Sequence, residues 1–152
     1  VLLGRLASDA LILAVQAGLL LSIGRLLGFR VSAGLAGMAG IAAIAVAFGL
    51  AVAVASSWLA LIIGDPETAE RVLFFPAIAI TFVSSAFAPV GLLAGWTQPV
   101  AADSPVTAAA NLVRALADGG PAAVPLVEFG CWLVALTVVP GAMAVRRWQA
   151  SD

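Results

Sequence analysis

The chain has 152 residues, 63% hydrophobic and 10% charged, with mean hydropathy +1.16 and formal net charge -1, a balance that excludes a soluble globular domain and points to an integral membrane protein. His, Lys and Tyr are absent and the one cysteine, Cys131, lies in an apolar run, so the usual general base, Schiff-base lysine, disulfide and cysteine-metal cluster are unavailable and no enzyme is expected. No cofactor, metal or nucleic-acid partner is expected either, and the opening on Val1, directly in a helical pattern, predicts a piece of a longer polypeptide.

The first predicted span covers residues 6–27 and reaches about 33 Å, enough to cross a hydrocarbon core of about 30 Å. Arg5, Asp9, Arg25 and Arg30 flank it as interfacial anchors. The second, residues 33–63, exceeds one crossing and must tilt or project. Its Ala39, Ala43, Ala47, Ala51 and Ala55 recur every four residues, a ridge either built for close helix packing or reflecting an Ala-rich composition.

Residues 64–72 hold the densest charge in the chain, Asp65, Glu67, Glu70 and Arg71, and must lie in water. Gly64-Asp65-Pro66 ends one helix, and Asp65 or Thr68 can cap the next. The cluster is either a solvated loop or a docking surface. A third span is placed at residues 73–89, with Pro76 early, Ser84 and Ser85 able to satisfy carbonyls freed by a distortion, and an end or kink near Pro89.

Residues 90–119 read as a short re-entrant helical hairpin. Its apolar VGLLAGWTQ piece is expected to end at Pro99. Asp103 and Ser104 can cap a helix that starts at Pro105 and ends at Gly119. At about 21 Å that helix is too short to cross. Val106, Ala109, Ala110, Val113 and Leu116 form an apolar face, and Thr107, Asn111, Arg114 and Asp118 a polar stripe opposite. Such a helix suits an interface, and with Ser84 and Ser85 it frames an outer gate on a transport path; a plain extracellular loop is the other reading.

The last span, residues 124–145, is closed by Arg146, Arg147 and Trp148. Glu128 is the one acid well inside a span, placed either at the interface or on a substrate path. Trp58, Trp96, Trp132 and Trp148 read as belt or packing residues. The fold class is therefore all-α: a polytopic membrane helix bundle of four transmembrane helices with the hairpin between the third and fourth. Both termini then share a side with Arg5, Arg71, Arg146 and Arg147, against Arg25, Arg30 and Arg114 opposite, which favours cytoplasmic termini.

The order GRLASDAL, LLGFR, an Ala/Gly-rich span, FPAIAITFVSSAFAPV, GWTQPVAADSPVT, LVRALADGG and a closing RRW resembles the C-terminal part of the ABC transmembrane type-2 permeases, and among them the daunorubicin-resistance type of drug exporter permease. The resemblance covers essentially the whole chain, with the family's Asn-Pro-Val-Thr standing here as Ser104-Pro105-Val106-Thr107. It implies a permease of about six spans, each long enough to cross the core, of which these are the last four. It further implies export of drugs or amphipathic, lipid-like molecules, a bacterial plasma-membrane location, a second permease copy in a dimer, and a partner ATPase met largely through a coupling segment before Val1. Independently, a chain with no Lys and no Gly-Lys-Ser/Thr loop cannot cradle ATP phosphates in the usual way, so ATP energy must come from another polypeptide or domain. Asp65, Glu67, Glu70 and Arg71 are the expected ATPase contact. An ion-coupled secondary transporter or channel is the rival from another class, disfavoured by the scarcity of acids in mid-span.

Overall fold

The computed structural model describes residues 2–32, 34–86, 90–92 and 95–149. The described residues form six α-helices: α1 (Leu2–Leu26), α2 (Gly34–Ile63), α3 (Pro66–Val83), α4 (Gln98–Ala102), α5 (Pro105–Asp118) and α6 (Ala123–Gln149), with one 3-10 turn at Val90–Leu92. Among the described residues three stretches are long and apolar enough to cross a membrane, Leu6–Leu26, Gly34–Ile63 and Ala123–Met143. α3 is not a fourth on its own, because its 18 residues begin with Glu67, Glu70 and Arg71 in the first turns.

α2 is the central post: α1, α3, α5 and α6 all pack on it. Gly37, Ile41, Ile44, Ala51 and Ala55 are its buried residues, and half-buried Phe48 completes a spacing that alternates four and three. That is a packing seam of period near 3.5. It corrects the expected four-residue Ala ridge, of which Ala39 and Ala43 are exposed. Steps of four residues drift about 40° round a helix each time, so such a row cannot stay on one face for four turns. Close approach is real at other positions. A methyl at Gly49 would lie 2.7 Å from Leu13 Cδ1 of α1, and one at Gly40 would lie 3.1 Å from Leu116 Cδ1 of α5.

The core cluster lies where α2, α5 and α6 meet: Ile44, Ala108, Leu112 and Phe129, with the Phe48 and Phe129 rings tilted at 6.4 Å. In the long helices the hydroxyls fold back on their own carbonyls, Ser22 to Gly18, Ser56 to Val52, Ser57 to Ala53 and Thr137 to Leu133. Each polar group is thus satisfied without water, as a hydrocarbon setting demands.

α1 ends on Gly28 at φ 97°, with Phe29 N donating to Gly24 O, the left-handed stop that lets the chain reverse into α2. Asp65 caps α3, accepting from the Glu67 and Thr68 amides. α3 runs through Pro76 and stops at Val83, whereas the sequence placed a span over residues 73–89; residues 87–89 lie outside the described residues. The helix stops early because Ser84 turns extended, its Oγ donating to Thr81 O at 2.7 Å. Pro99 is a second correction. It sits in the first turn of α4 rather than ending a helix, and there its missing N–H costs no hydrogen bond.

Candidate functional site

α5 starts and stops as Ser104, Pro105 and Gly119 dictate: the Ser104 Oγ accepts from Thr107 N at 3.1 Å, and Gly119 closes the helix at φ 72°. Its C-terminal end is pinned to the α1–α2 connection, where the amide and the hydroxyl of Ser32 both donate to Ala117 O at 2.8 Å. Its middle lies against Ile44, about 15 Å along α2 from Gly34. α5 therefore descends beside α2 from the Ser32 end. From the other end α3 rises about 27 Å from the Asp65 turn, and α5 measures about 21 Å, a sum close to the length of about 45 Å that α2 has alone.

The two short helices meet inside that height, at a buried polar junction. Ser84, Ser85, Ser104 and Thr107 are 0, 3, 5 and 2% exposed, so each must find its partner in the protein. They do. Ser85 N donates to Thr107 Oγ1 at 3.0 Å, Ser104 Oγ donates to Thr107 Oγ1 at 2.9 Å, and Ala86 N donates to Ser84 Oγ at 3.3 Å. Arg114 closes the junction from outside. Its Nη1 donates to Ser85 Oγ at 3.1 Å and to Asn111 Oδ1 at 3.4 Å, while Nη2 donates to the Ser85 carbonyl. Among the described residues no buried side-chain nitrogen or oxygen is left without a partner.

The structure thus gathers four of the expected gate residues, Ser84, Ser85, Asn111 and Arg114. Glu128 does not join them: it is exposed on α6 and bonds to no described residue, while its neighbour Phe129 fills the core. Thr107 was expected in the solvent-facing stripe and is instead nearly the most buried side chain of α5, because α2 and α6 cover the face it shares with Ala108 and Leu112. The Ser104-x-x-Thr107 spacing marks the start of α5, where Ser104 Oγ accepts from Thr107 N, but not this burial. Only Arg114 and Asp118 of the stripe are exposed.

At the opposite end of α2, Asp65, Glu67 and Arg71 stand in solvent around the start of α3, and Glu70 lies in the same turn. The Thr68 hydroxyl, with the Thr68 amide, holds the Asp65 carboxyl below its ordinary value. Glu67 and Arg71 pair at 2.5 Å, but both side chains are about three-quarters exposed, at 73% and 74%, and such a pair adds little stability. No group of three or more His, Cys, Asp or Glu that could hold a metal occurs among the described residues.

A family model described as ABC-2 type transporter matches residues 1–117. The chain is 32% identical over 149 residues to a protein named "Probable doxorubicin resistance ABC transporter permease protein DrrC" from Mycobacterium tuberculosis, covering 96% of this chain and 54% of that protein. It is 28% identical over 118 residues to "Daunorubicin resistance ABC transporter permease protein DrrB1" from Streptomyces coeruleorubidus, covering 78% of this chain and 42% of that protein. The chain therefore spans about half the length of these relatives. No solved structure matches it.

Proposed function

Because the chain belongs to the ABC-2 type transporter family, we propose that it forms the membrane-spanning part of an ATP-driven exporter of drugs or amphipathic molecules, working with a partner ATPase and a second permease copy in the bacterial plasma membrane. The observation that carries this reading is the similarity along 96% of the chain to a relative named for doxorubicin resistance. The lack of any phosphate-gripping Lys supports a separate source of ATP energy.

We read the architecture as four crossings over residues 1–152. α1, α2 and α6 make three, and the fourth is a broken crossing in which α3 rises from the cytoplasmic side while residues 90–119 re-enter from outside. The near equality of α3 plus α5 with α2 supports it, as does the pinning of the two ends of that pair to opposite ends of α2. Discontinuous helices of this kind place polar groups inside a bilayer where protein can satisfy them. The Ser84, Ser85, Asn111 and Arg114 junction then serves as the outer gate. Glu128, about 8 Å into α6, takes the interfacial role. Asp65, Glu67, Glu70 and Arg71 face the cytoplasm as an ATPase contact.

The test is transport by the intact permease, reconstituted with its ATPase in inside-out vesicles. Doxorubicin accumulation that requires hydrolysable ATP is expected. Accumulation driven by a proton gradient without ATP would sink the proposal in favour of an ion-coupled carrier.

A further inference from the structure

The Arg114 side chain has a donor edge that the junction does not use. A guanidinium carries five N–H donors. Three are engaged, and all by neutral acceptors: Ser85 Oγ and Asn111 Oδ1 on Nη1, and Ser85 O on Nη2. Since both terminal nitrogens grip the same residue, the fork across Nη1 and Nη2 is the occupied edge. The Nε–H and the second Nη2–H remain, side by side on the other edge, with no partner among the described residues. Two parallel donors at that spacing match two oxygens of a carboxylate or phosphate.

The charge is also uncompensated. Among the described residues the one ion pair is Glu67–Arg71, at the far end of α2, and Asp118, one turn beyond Arg114 in the same stripe, makes no pair with it. Arg114 is exposed, and its Cα lies about 7.5 Å along α5 from Gly119. The guanidinium itself is held further from Gly119 than that Cα, beside Asn111 and Ser85, which on the four-crossing reading lies below the headgroup boundary. A free cation held there is costly unless an anion joins it. The bonds to Ser85 and Asn111 hold the guanidinium in place, so an incoming anion need not order it.

We propose that Arg114 is a binding residue for a two-oxygen anion, the phosphodiester or carboxylate head of an amphiphile entering the junction from the bilayer. The inference rests on the exporter reading for the membrane setting, and names the anionic head of a lipid-like amphiphile, rather than an amine drug such as doxorubicin, as the group that meets Arg114.

The experiment uses the intact permease in a phosphate-free maltoside micelle, titrated with short-chain phosphatidylglycerol and separately with inorganic phosphate. R114Q is expected to weaken phosphatidylglycerol binding about tenfold or more, the weight of one charge-assisted hydrogen bond. R114K, which keeps the charge without the fork, recovers part of it. A purely structural role would lower the melting temperature of R114Q while leaving lipid binding by the folded fraction unchanged, and that result overturns the proposal. Should R114Q fail to fold, D118N keeps every bond at the junction and removes the nearest carboxylate on the stripe; tighter phosphatidylglycerol binding is expected, and unchanged binding overturns the proposal. Competition by millimolar inorganic phosphate assigns the edge to a free oxyanion, and retained lipid binding without competition assigns it to a lipid head. Arg114-dependent binding with no ATP-driven transport would sink the exporter reading alone.

Discussion

Arg114 and Ser85, 29 residues apart in sequence, are joined by two hydrogen bonds, Nη1 to the Ser85 hydroxyl at 3.1 Å and Nη2 to the Ser85 carbonyl. The pair ties the segment just past the end of α3 to α5. Ser85 O lies past the last turn of α3, where no backbone amide of that helix can reach it.

Arg114→Ala should therefore leave that carbonyl without its donor. The expected loss is about 1–2 kcal/mol of stability, seen as a lower melting temperature of the intact permease in detergent. Arg114→Lys should recover only part, since an ammonium cannot hold both Ser85 oxygens in the same planar geometry. Full recovery by Lys would show that charge alone matters.

Thr107→Val should be worse than its small change in shape suggests. The substitution keeps the volume but removes the acceptor for Ser85 N and for Ser104 Oγ at a site 2% exposed. Stranding buried donors costs about 1–3 kcal/mol. Thr107→Ser, which keeps the oxygen, is expected to stay within about 1 kcal/mol of the parent in the same melting assay, because it loses one half-compensated methyl. Equal effects of Val and Ser would remove the hydroxyl from the account.

At Gly49 α2 lies tightly against α1, with Leu13 Cδ1 and Cδ2 lying 2.7 and 2.9 Å from where a methyl would stand. Leu13 is a flexible tip, so Gly49→Ala should be mild and Gly49→Leu should cost about 1–3 kcal/mol by overpacking. Adding Leu13→Ala to Gly49→Leu should restore most of the loss, because the two side chains compete for one space. No recovery in that double-mutant cycle would rule out the contact.

The Asp65 cap has a pH signature. Its folded pKa lies below the unfolded value of 3.8, with the Thr68 hydroxyl as the largest cause. The cap is thus fully present above that value and is lost as pH falls through the folded pKa. Hydrogen exchange at the Glu67 and Thr68 amides, corrected for intrinsic rates, should be constant from neutral pH to about 4 and faster below it, where the carboxylate is protonated. Asp65→Ala should show the fast behaviour throughout.

Sequence reasoning found α1, α2 and α6 to within a few residues because the length of an apolar run is set by the bilayer, a constraint written locally. It found α5 to the residue because Ser104, Pro105 and Gly119 are stop and start signals with their own chemistry. The end of α3 was not legible in the same way. Its stop at Ser84 is supported by Thr107 and Arg114, which lie 22 and 29 residues from Ser85 and become neighbours only once α5 has packed on α2. The burial of Thr107 had the same origin: a helical wheel gives two faces but not which of them a third helix will cover. Sequence did set Ser84 and Ser85 beside the polar stripe of Thr107, Asn111, Arg114 and Asp118, and of these the structure bonds Ser85 to Thr107 and Arg114, and Arg114 to Asn111.

The re-entry of α5 can be decided by thiol accessibility. After Cys131→Ser, single cysteines are introduced from Val106 to Asp118 in the intact permease, and an impermeant reagent is added outside whole cells. Cysteines at 114 and 118 should label, since Arg114 and Asp118 are exposed. Those at 107, 108, 112 and 117 should not, because Thr107, Ala108, Leu112 and Ala117 are buried. The pattern should therefore recur with the helix rather than fade with distance from Gly119. A cysteine at Glu67 should stay unlabelled from outside, because α3 starts at the opposite end of α2. Uniform labelling along α5 would make it an ordinary loop, and uniform protection would make it a crossing. Labelling at Glu67 would invert the orientation of the whole bundle, and with it the assignment of the Arg114 junction to the outer side.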